Sequence, residues 1–162
     1  MESSKIEIDY LVRQLDENRK TLKSLIALID SDRQTAVFYE GQWTVKEHVK
    51  HLVMTQALLK RRIQLFIENE HPEITPYHPE NDEIDSSGDI DDYIGQFCAL
   101  REEQLELLRS APETVFDRTG SHPGYEKYSF LILVRHIVLH DQFHLYRIED
   151  LGLAKPDFIE RF

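Results

Sequence analysis

Two histidines four residues apart, and a third far upstream, are the residues of this chain best suited to chemistry. His140 and His144 lie in the segment HIVLHDQFHLYRI, and His51 lies in WTVKEHVKHL. Residues four apart on an α-helix share one face about one turn apart, so both imidazoles can be directed at one point. A third imidazole from another helix would complete a metal site that keeps at least one coordination position for a ligand.

Helical periodicity places His140 and His144 on the buried face of the last predicted helix. At about 100° per residue they share roughly one quarter of its circumference with aliphatic side chains. These side chains are Leu133, Ile137, Ile148 and Leu151. Two buried imidazoles on adjacent turns are costly unless they share a partner. The pattern therefore favours a common metal ion over two separate core histidines.

Two further histidines compete for the ligand positions on pattern alone. His136 precedes His140 by four residues, but two turns separate it from His144 by about 12 Å, which Zn–N bonds of about 2.1 Å cannot bridge. One helix therefore supplies two ligands. On the upstream helix His48 and His51 are three apart, and His48 lies closer to the apolar stripe, so the pattern alone leans toward His48. That stripe contains Val45, Val49 and Leu52.

Four long helices must position these histidines. Apolar residues at three- and four-residue intervals predict helices over about Ser4–Asp30, from Trp43 to the Glu-His-Pro of residues 70–72, from Asp89–Asp92 to Ser110, and over Tyr128–Leu151. Thr44 is predicted as the N-cap of the second helix, with Glu47 as its capping-box partner. Little β signal is present. The chain is thus predicted to be an all-α four-helix bundle with long connections, forming a single domain over residues 1–162.

The two long connections are rich in proline, acidic and small polar residues. They span His71–Gly88 and Pro112–Lys127, and each either permits a crossover or folds over one end of the bundle. His71, His78 and His122 stand beside prolines in these loops. We expect them at the surface, although a loop over the mouth of the bundle would bring His122 close to the site.

Composition and charge exclude several classes of partner. The 162 residues include 30 acidic and 19 basic side chains, and the formal net charge of −11 would repel a phosphate backbone. No apolar stretch approaches the roughly 18 residues of a membrane span, and the N-terminus does not resemble a secretion signal. Cys98 is the only cysteine, so it cannot form an intrachain disulfide. We therefore expect a cytoplasmic protein without nucleic-acid or membrane partners.

Three segments together resemble the DinB/YfiT superfamily of metal-binding four-helix bundles. The first is a tryptophan followed eight residues later by the histidine of a His-Leu pair, here Trp43 and His51. The second is a glycine-containing loop before the last helix, SHPGYEKYS, and the third is the His140-x3-His144 pair with a carboxylate after its first histidine. These motifs follow the order and spacing of the family over nearly the whole chain. The resemblance implies that His51 completes the metal triad with His140 and His144.

The resemblance also bears on the neighbours of the triad. His48 becomes a packing residue or a hydrogen-bond neighbour of the ligands, and Asp141 and His48 are the candidates for a general base. Many family members carry a glutamine three residues after the second histidine of the last helix, where this chain has Arg147. A cation beside a dication needs a partner, so Arg147 is expected either to point outward or to bind an anionic ligand such as a substrate carboxylate.

Three neutral imidazoles would leave a divalent ion with its full charge and an open position, as in catalytic sites. Zinc or nickel is the expected ion, and iron, manganese and copper are alternatives. Such an ion lowers the pKa of bound water to about 7, or deprotonates a thiol outright. The resemblance implies the second chemistry, that of a metal-dependent thiol S-transferase acting with a low-molecular-weight thiol on a small molecule. The alternatives are a metal-dependent hydrolase and a non-catalytic metal-binding stress-response or interaction module. A homodimer is compatible with bundles of this kind.

Overall fold

Four long α-helices pack as a bundle around a shared core. The computed structural model describes residues 2–77 and 84–161. Its helices are α1 (Glu2–Leu28), α2 (Ser31–Gln34), α3 (Val45–Glu68), α4 (Ile90–Ser110) and α5 (Phe130–Leu153). Both α1 and α3 pack against α4 and against α5, so the four long helices alternate around the core. The predicted all-α four-helix bundle with long connections is confirmed, and the predicted helix ends lie within about two residues of the observed ones.

The capping box at the start of α3 forms as predicted. The Thr44 hydroxyl accepts a hydrogen bond from the backbone N–H of Glu47 at 3.2 Å, and the Glu47 carboxylate accepts one from the backbone N–H of Thr44 at 2.7 Å. Two otherwise unpaired N–H groups are thereby satisfied. The cap defines the first turn of α3, from which His48 and His51 follow within two turns.

The two long connections meet at one end of the bundle. Strand β1 (Thr119–Gly120) pairs antiparallel with β2 (Tyr128–Ser129), and Ile74 of the other connection donates its N–H to the carbonyl oxygen of Ser121 at 2.8 Å. The expectation of a plain loop over Pro112–Lys127 is therefore incomplete, because strands of two residues are too short to produce an alternating pattern. His78, assigned to the other loop, lies outside the described residues.

A layer of buried polar side chains divides the core into two apolar clusters. One cluster contains Leu15, Ile63, Phe66 and Leu133, and the other contains Leu22, Val49, Leu52 and Ile148. Each long helix contributes to the polar layer, whose members include Asn18, Gln56, Arg101 and Asp141. None of the described helices is long and apolar enough to cross a membrane.

An ion pair forms the centre of this polar layer. Both Nη atoms of Arg101 donate to the Asp141 carboxylate, and the exposed fractions of the two side chains are 0% and 1%. Gln56 Oε1 accepts from Arg101 Nη2 at 3.2 Å, and Asn18 Nδ2 donates to Asp141 Oδ2 at 3.3 Å. The pair is thus buried and hydrogen-bonded, the condition under which a buried ion pair is tolerated.

Removal of one partner of this ion pair should destabilise the bundle strongly. Asp141→Ala leaves the Arg101 guanidinium buried without a counter-charge, so we expect the free energy of unfolding to fall by about 3–5 kcal/mol in urea denaturation. The double variant Arg101→Met/Asp141→Leu removes both charges and should recover most of that loss. A double variant as unstable as Asp141→Ala would show that packing, rather than the uncompensated charge, causes the loss.

Candidate metal centre

Three histidines from α3 and α5 converge beside the polar layer. His51, His140 and His144 each offer one ring nitrogen, and these atoms all lie within 4.8 Å of one another. His51 Nε2 and His140 Nε2 are 3.1 Å apart. A tetrahedral ion with nitrogen ligands at about 2.1 Å holds those nitrogens about 3.4 Å from one another. The cluster therefore has nearly the dimensions of a three-histidine metal site.

The chemistry of these imidazoles fits a divalent ion. Burial lowers the pKa of His140 to about 4 and that of His144 to about 2, so both rings are neutral at pH 7 and carry lone pairs. Buried polar atoms normally have hydrogen-bond partners, yet Nδ1 of His140 has none among the described residues. A set of imidazole donors suits zinc, nickel, copper and iron. The residues that the fold brings together could thus hold the expected metal.

His48 lies next to the cluster, in contact with one of its members. Its Nδ1 is 2.9 Å from Nδ1 of His144, so one of the two nitrogens carries the proton that the other accepts. With Nδ1 engaged, Nε2 is the nitrogen of His144 that remains for an ion. Burial, reinforced by the charge of Arg147, lowers the pKa of His48 to about 3. His51, His140 and His144, without His48, form the group of ring nitrogens that could hold an ion.

A pocket of about 720 Å³ opens at the histidine cluster. His51, His140 and His144 form part of its wall, and aromatic, proline and histidine side chains from the two connections and α5 form much of the rest. These are Pro76, Tyr77, His122, Pro123, Tyr125, Tyr128, His136 and Phe143. The loop placement thus brings His122 to the site, and the volume is typical of small-molecule sites, about 300–1,000 Å³.

Two residues singled out from the sequence have partners away from this pocket. The Asp141 carboxylate is held by Arg101 and does not line the pocket. Arg147 is only 2% exposed, so the expectation that it points outward is wrong. Its Nη1 donates to Asp150 Oδ2 at 2.7 Å and to the carbonyl oxygen of Glu160 at 3.1 Å. For the other alternative, an anionic ligand, the structure has a partner within the chain, because Asp150 supplies the counter-charge of Arg147.

Sequence reasoning gave no role to the ring of Trp43 and did not single out Arg62. The Trp43 ring lies 4.8 Å from the His51 ring and is stacked at 6.0 Å on His144, and it lines the pocket. Arg62 lines the same pocket from α3. It follows His51 by 11 residues, or about three helical turns, so the two side chains share one face of α3. That spacing could have identified Arg62 once His51 was chosen.

The bundle and its histidine cluster define a metal-binding class of helical protein, and comparisons identify its family. The chain belongs to the DinB superfamily, whose model matches residues 14–148. A relative in Oceanobacillus iheyensis, named "Putative metal-dependent hydrolase", is 24% identical over 156 residues, which cover 95% of this chain and 91% of the relative. A Bacillus cereus protein of the same descriptive name is 23% identical over 146 residues, covering 89% of this chain and 84% of the relative.

The fold is also similar to a solved structure. That structure is YfiT from Bacillus subtilis, described as a probable metal-dependent hydrolase with an unusual four-helix bundle topology. The TM-score is 0.77 at 24% sequence identity, and the match covers 89% of this chain and 85% of that chain. At this level of identity the likeness shows the fold alone.

Acid should destabilise the metal-free protein well above the range in which carboxylates titrate. Because burial lowers the pKa values of His48, His140 and His144 from 6.5, the unfolded chain binds protons below about pH 6.5 that the folded protein does not. The contribution of these neutral histidines to the free energy of unfolding is full above pH 6.5. It is lost as the pH falls toward the pKa values of the folded protein, by up to about 1.4 kcal/mol per pH unit for each histidine. Urea denaturation with a chelator at about pH 7.5, 6.5 and 5.5 measures this slope. A midpoint independent of pH would contradict the burial of neutral imidazoles.

Loss of one ligand should abolish stoichiometric metal and leave the helices formed. We expect this of His140→Ala, because the bundle has an apolar core of its own, unlike a zinc finger. Elemental analysis and circular dichroism measure the two quantities. His48→Ala is the matched control, and it should keep its metal with an affinity reduced about 10- to 100-fold through loss of the His144 contact. Metal loss in His48→Ala but not in His51→Ala would reverse the assignment.

Proposed function

We propose that this protein is an enzyme in which a divalent ion, held by His51, His140 and His144, activates a nucleophile for attack on a small molecule in the adjoining pocket. The observation that supports this most directly is the convergence of three ring nitrogens in the wall of a pocket large enough for a ligand. When bound, such an ion acts as a Lewis acid and lowers the pKa of a thiol or of water. The names of the relatives, which refer to metal-dependent hydrolases, support the dependence on metal.

The surrounding side chains orient the cluster for this role. His48 holds the His144 ring through its Nδ1 contact, and Trp43 packs against both His51 and His144. Because α3 and α5 are packed against each other, the rings on the two helices have little freedom to separate. Such preorganisation lets the imidazoles meet an ion without a costly rearrangement.

The finer proposal is that the nucleophile is a low-molecular-weight thiol, so that the protein is a thiol S-transferase. A single attacking water occupies about 30 Å³, whereas the pocket of about 720 Å³ has room for the body of a thiol beside an electrophile. The aromatic side chains of Tyr77, Tyr125 and Phe143 suit an electrophile with an apolar body. The resemblance to a family that contains such transferases supports the same choice.

Hydrolysis is the second candidate, and two histidines in the pocket favour it. Burial lowers the pKa values of His122 and His136, and both rings line the pocket. A neutral imidazole at pH 7 can accept a proton from attacking water. The wording used for the relatives agrees with this reaction. Here the substrate would be a small molecule with a hydrolysable bond, and no thiol would be consumed.

A comparison of two reactions decides between these candidates. Zinc- and nickel-loaded protein is given a panel of low-molecular-weight thiols with a bimane or chlorodinitrobenzene electrophile and, separately, nitrophenyl esters without thiol. We expect metal-dependent consumption of thiol and electrophile in equal amounts, lost with a chelator and in His140→Ala. His71→Ala, which alters an exposed histidine outside the pocket, should retain the activity.

Other outcomes of this comparison would change the assignment. Ester cleavage that depends on the metal and does not depend on thiol would establish a hydrolase in place of a transferase. Stoichiometric metal with turnover of neither substrate class would overturn the enzyme proposal and favour a non-catalytic metal-binding or interaction module.

A further inference from the structure

A buried guanidinium lies in the pocket wall at a distance from the histidine cluster. Arg62 is 8% exposed and lines the pocket. Its Nη2 donates to the carbonyl oxygen of Thr75 at 2.9 Å, whereas its Nε is buried and has no hydrogen-bond partner within residues 2–77 and 84–161. A buried charged group with an unmet donor is costly unless something else satisfies it.

The other buried arginines of the described chain differ from Arg62 in having a counter-charge. Arg101 is paired with Asp141, and Arg147 is paired with Asp150. Arg62 forms no ion pair with any carboxylate of the described residues, and the described residues that line its pocket include no Asp or Glu. In a chain whose formal net charge is −11, the described part of this pocket thus contains a cation and no carboxylate.

The charge of Arg62 acts on several groups in the pocket. Burial is the main cause of the lowered pKa values of His122 and His136, and the Arg62 charge lowers both further. Burial raises the pKa of Tyr128 to about 12, and Arg62 opposes that rise. The guanidinium therefore makes the far end of the pocket electropositive.

The geometry of α3 sets the distance between the two ends of the pocket. Eleven residues separate His51 from Arg62, a rise of about 16 Å along one face of a single helix. Thr55, Leu58 and Leu59 line the pocket between them.

We propose that Arg62 binds an oxyanion, a carboxylate or a phosphate, at one end of an extended substrate whose reacting group lies at the histidine cluster. The middle of such a substrate is apolar, matching the wall between the two ends. A guanidinium recognises either anion through N–H donors, and a bound oxyanion would supply the counter-charge that Arg62 lacks among the described residues. The role given to the cluster rests on the proposed function, but the anion site rests on the burial and pairing of Arg62 alone.

Matched acidic and neutral probes test the anion site without any chemistry. Octanoate, octyl phosphate and methyl octanoate are titrated into metal-free and zinc-loaded full-length protein, with the fluorescence of Trp43 as the readout. Trp43 is the only tryptophan of the chain and lines the pocket. We expect at least one of the two anions to bind roughly 10- to 100-fold more tightly than the ester, in metal-free protein as well. The preferred anion identifies the head group.

Variants at two adjacent arginines separate the anion site from general electrostatics. Arg62→Gln should remove the preference for the anion and leave ester binding unchanged, and Arg62→Lys should keep only part of it because the fork of donors is lost. Arg61→Gln is the control, since Arg61 is exposed and paired with Glu68, and it should retain the full preference.

Equal binding of acids and ester by the unaltered protein would overturn the proposal, even if the Arg62 variants failed to fold. Equal weakening of all three probes by Arg62→Gln would overturn it as well, because a purely structural role has that effect. Failure of the proposed function is visible separately, as absence of bound metal or of thiol turnover. An anion preference that persists in metal-free protein would support the Arg62 site, regardless of whether the histidine cluster binds metal or catalyses a reaction.

Discussion

The buried ion pair between Arg101 and Asp141 sets the orientation on which the metal centre depends. Asp141 directly follows His140 on α5, so the rotation that turns its carboxylate toward Arg101 also turns His140 and His144 toward α3. Any other rotation of α5 would bury a guanidinium without its counter-charge, an error far costlier than a repacked aliphatic side chain. The histidine cluster is therefore positioned by a contact that lies outside its own pocket.

The same polar layer explains why the cluster can exist in the interior of a bundle. Apolar clusters on both sides of the layer stabilise the four helices, so the histidines need not contribute to the core. Their burial keeps His140 and His144 neutral, which is unfavourable below their ordinary pKa but leaves their lone pairs for a cation. On α5, the apolar residues thus stabilise the bundle, and the histidines are available to bind a metal ion.

The sequence predicted most of the fold and only part of the site. Helix periodicity and the Thr44 capping box are local patterns, and they gave the four long helices. His48 and His51 lie three residues apart, within about 60° on one helix, so periodicity could not choose between them. The resemblance to a family favours His51. In the structure His48 contacts Nδ1 of His144, whereas the ring of His51 groups with those of His140 and His144. The ion pair of Arg101 joins residues 40 apart, a tertiary contact that no local pattern contains.

The three buried arginines differ in whether a carboxylate of the chain pairs with them, and this difference distinguishes a structural role from a role in ligand binding. Asp150 lies three residues after Arg147 on one helix, a spacing that could have predicted the pair in place of an anionic ligand. Arg101 and Arg147 are each paired with a carboxylate of the chain, so their charges serve to stabilise the fold. Arg62 is also buried, but it has no carboxylate partner among the described residues, and its side chain lines the pocket. Because α3 carries both Arg62 and His51, helical rise sets the distance between their backbone positions, which cannot change without breaking the helix.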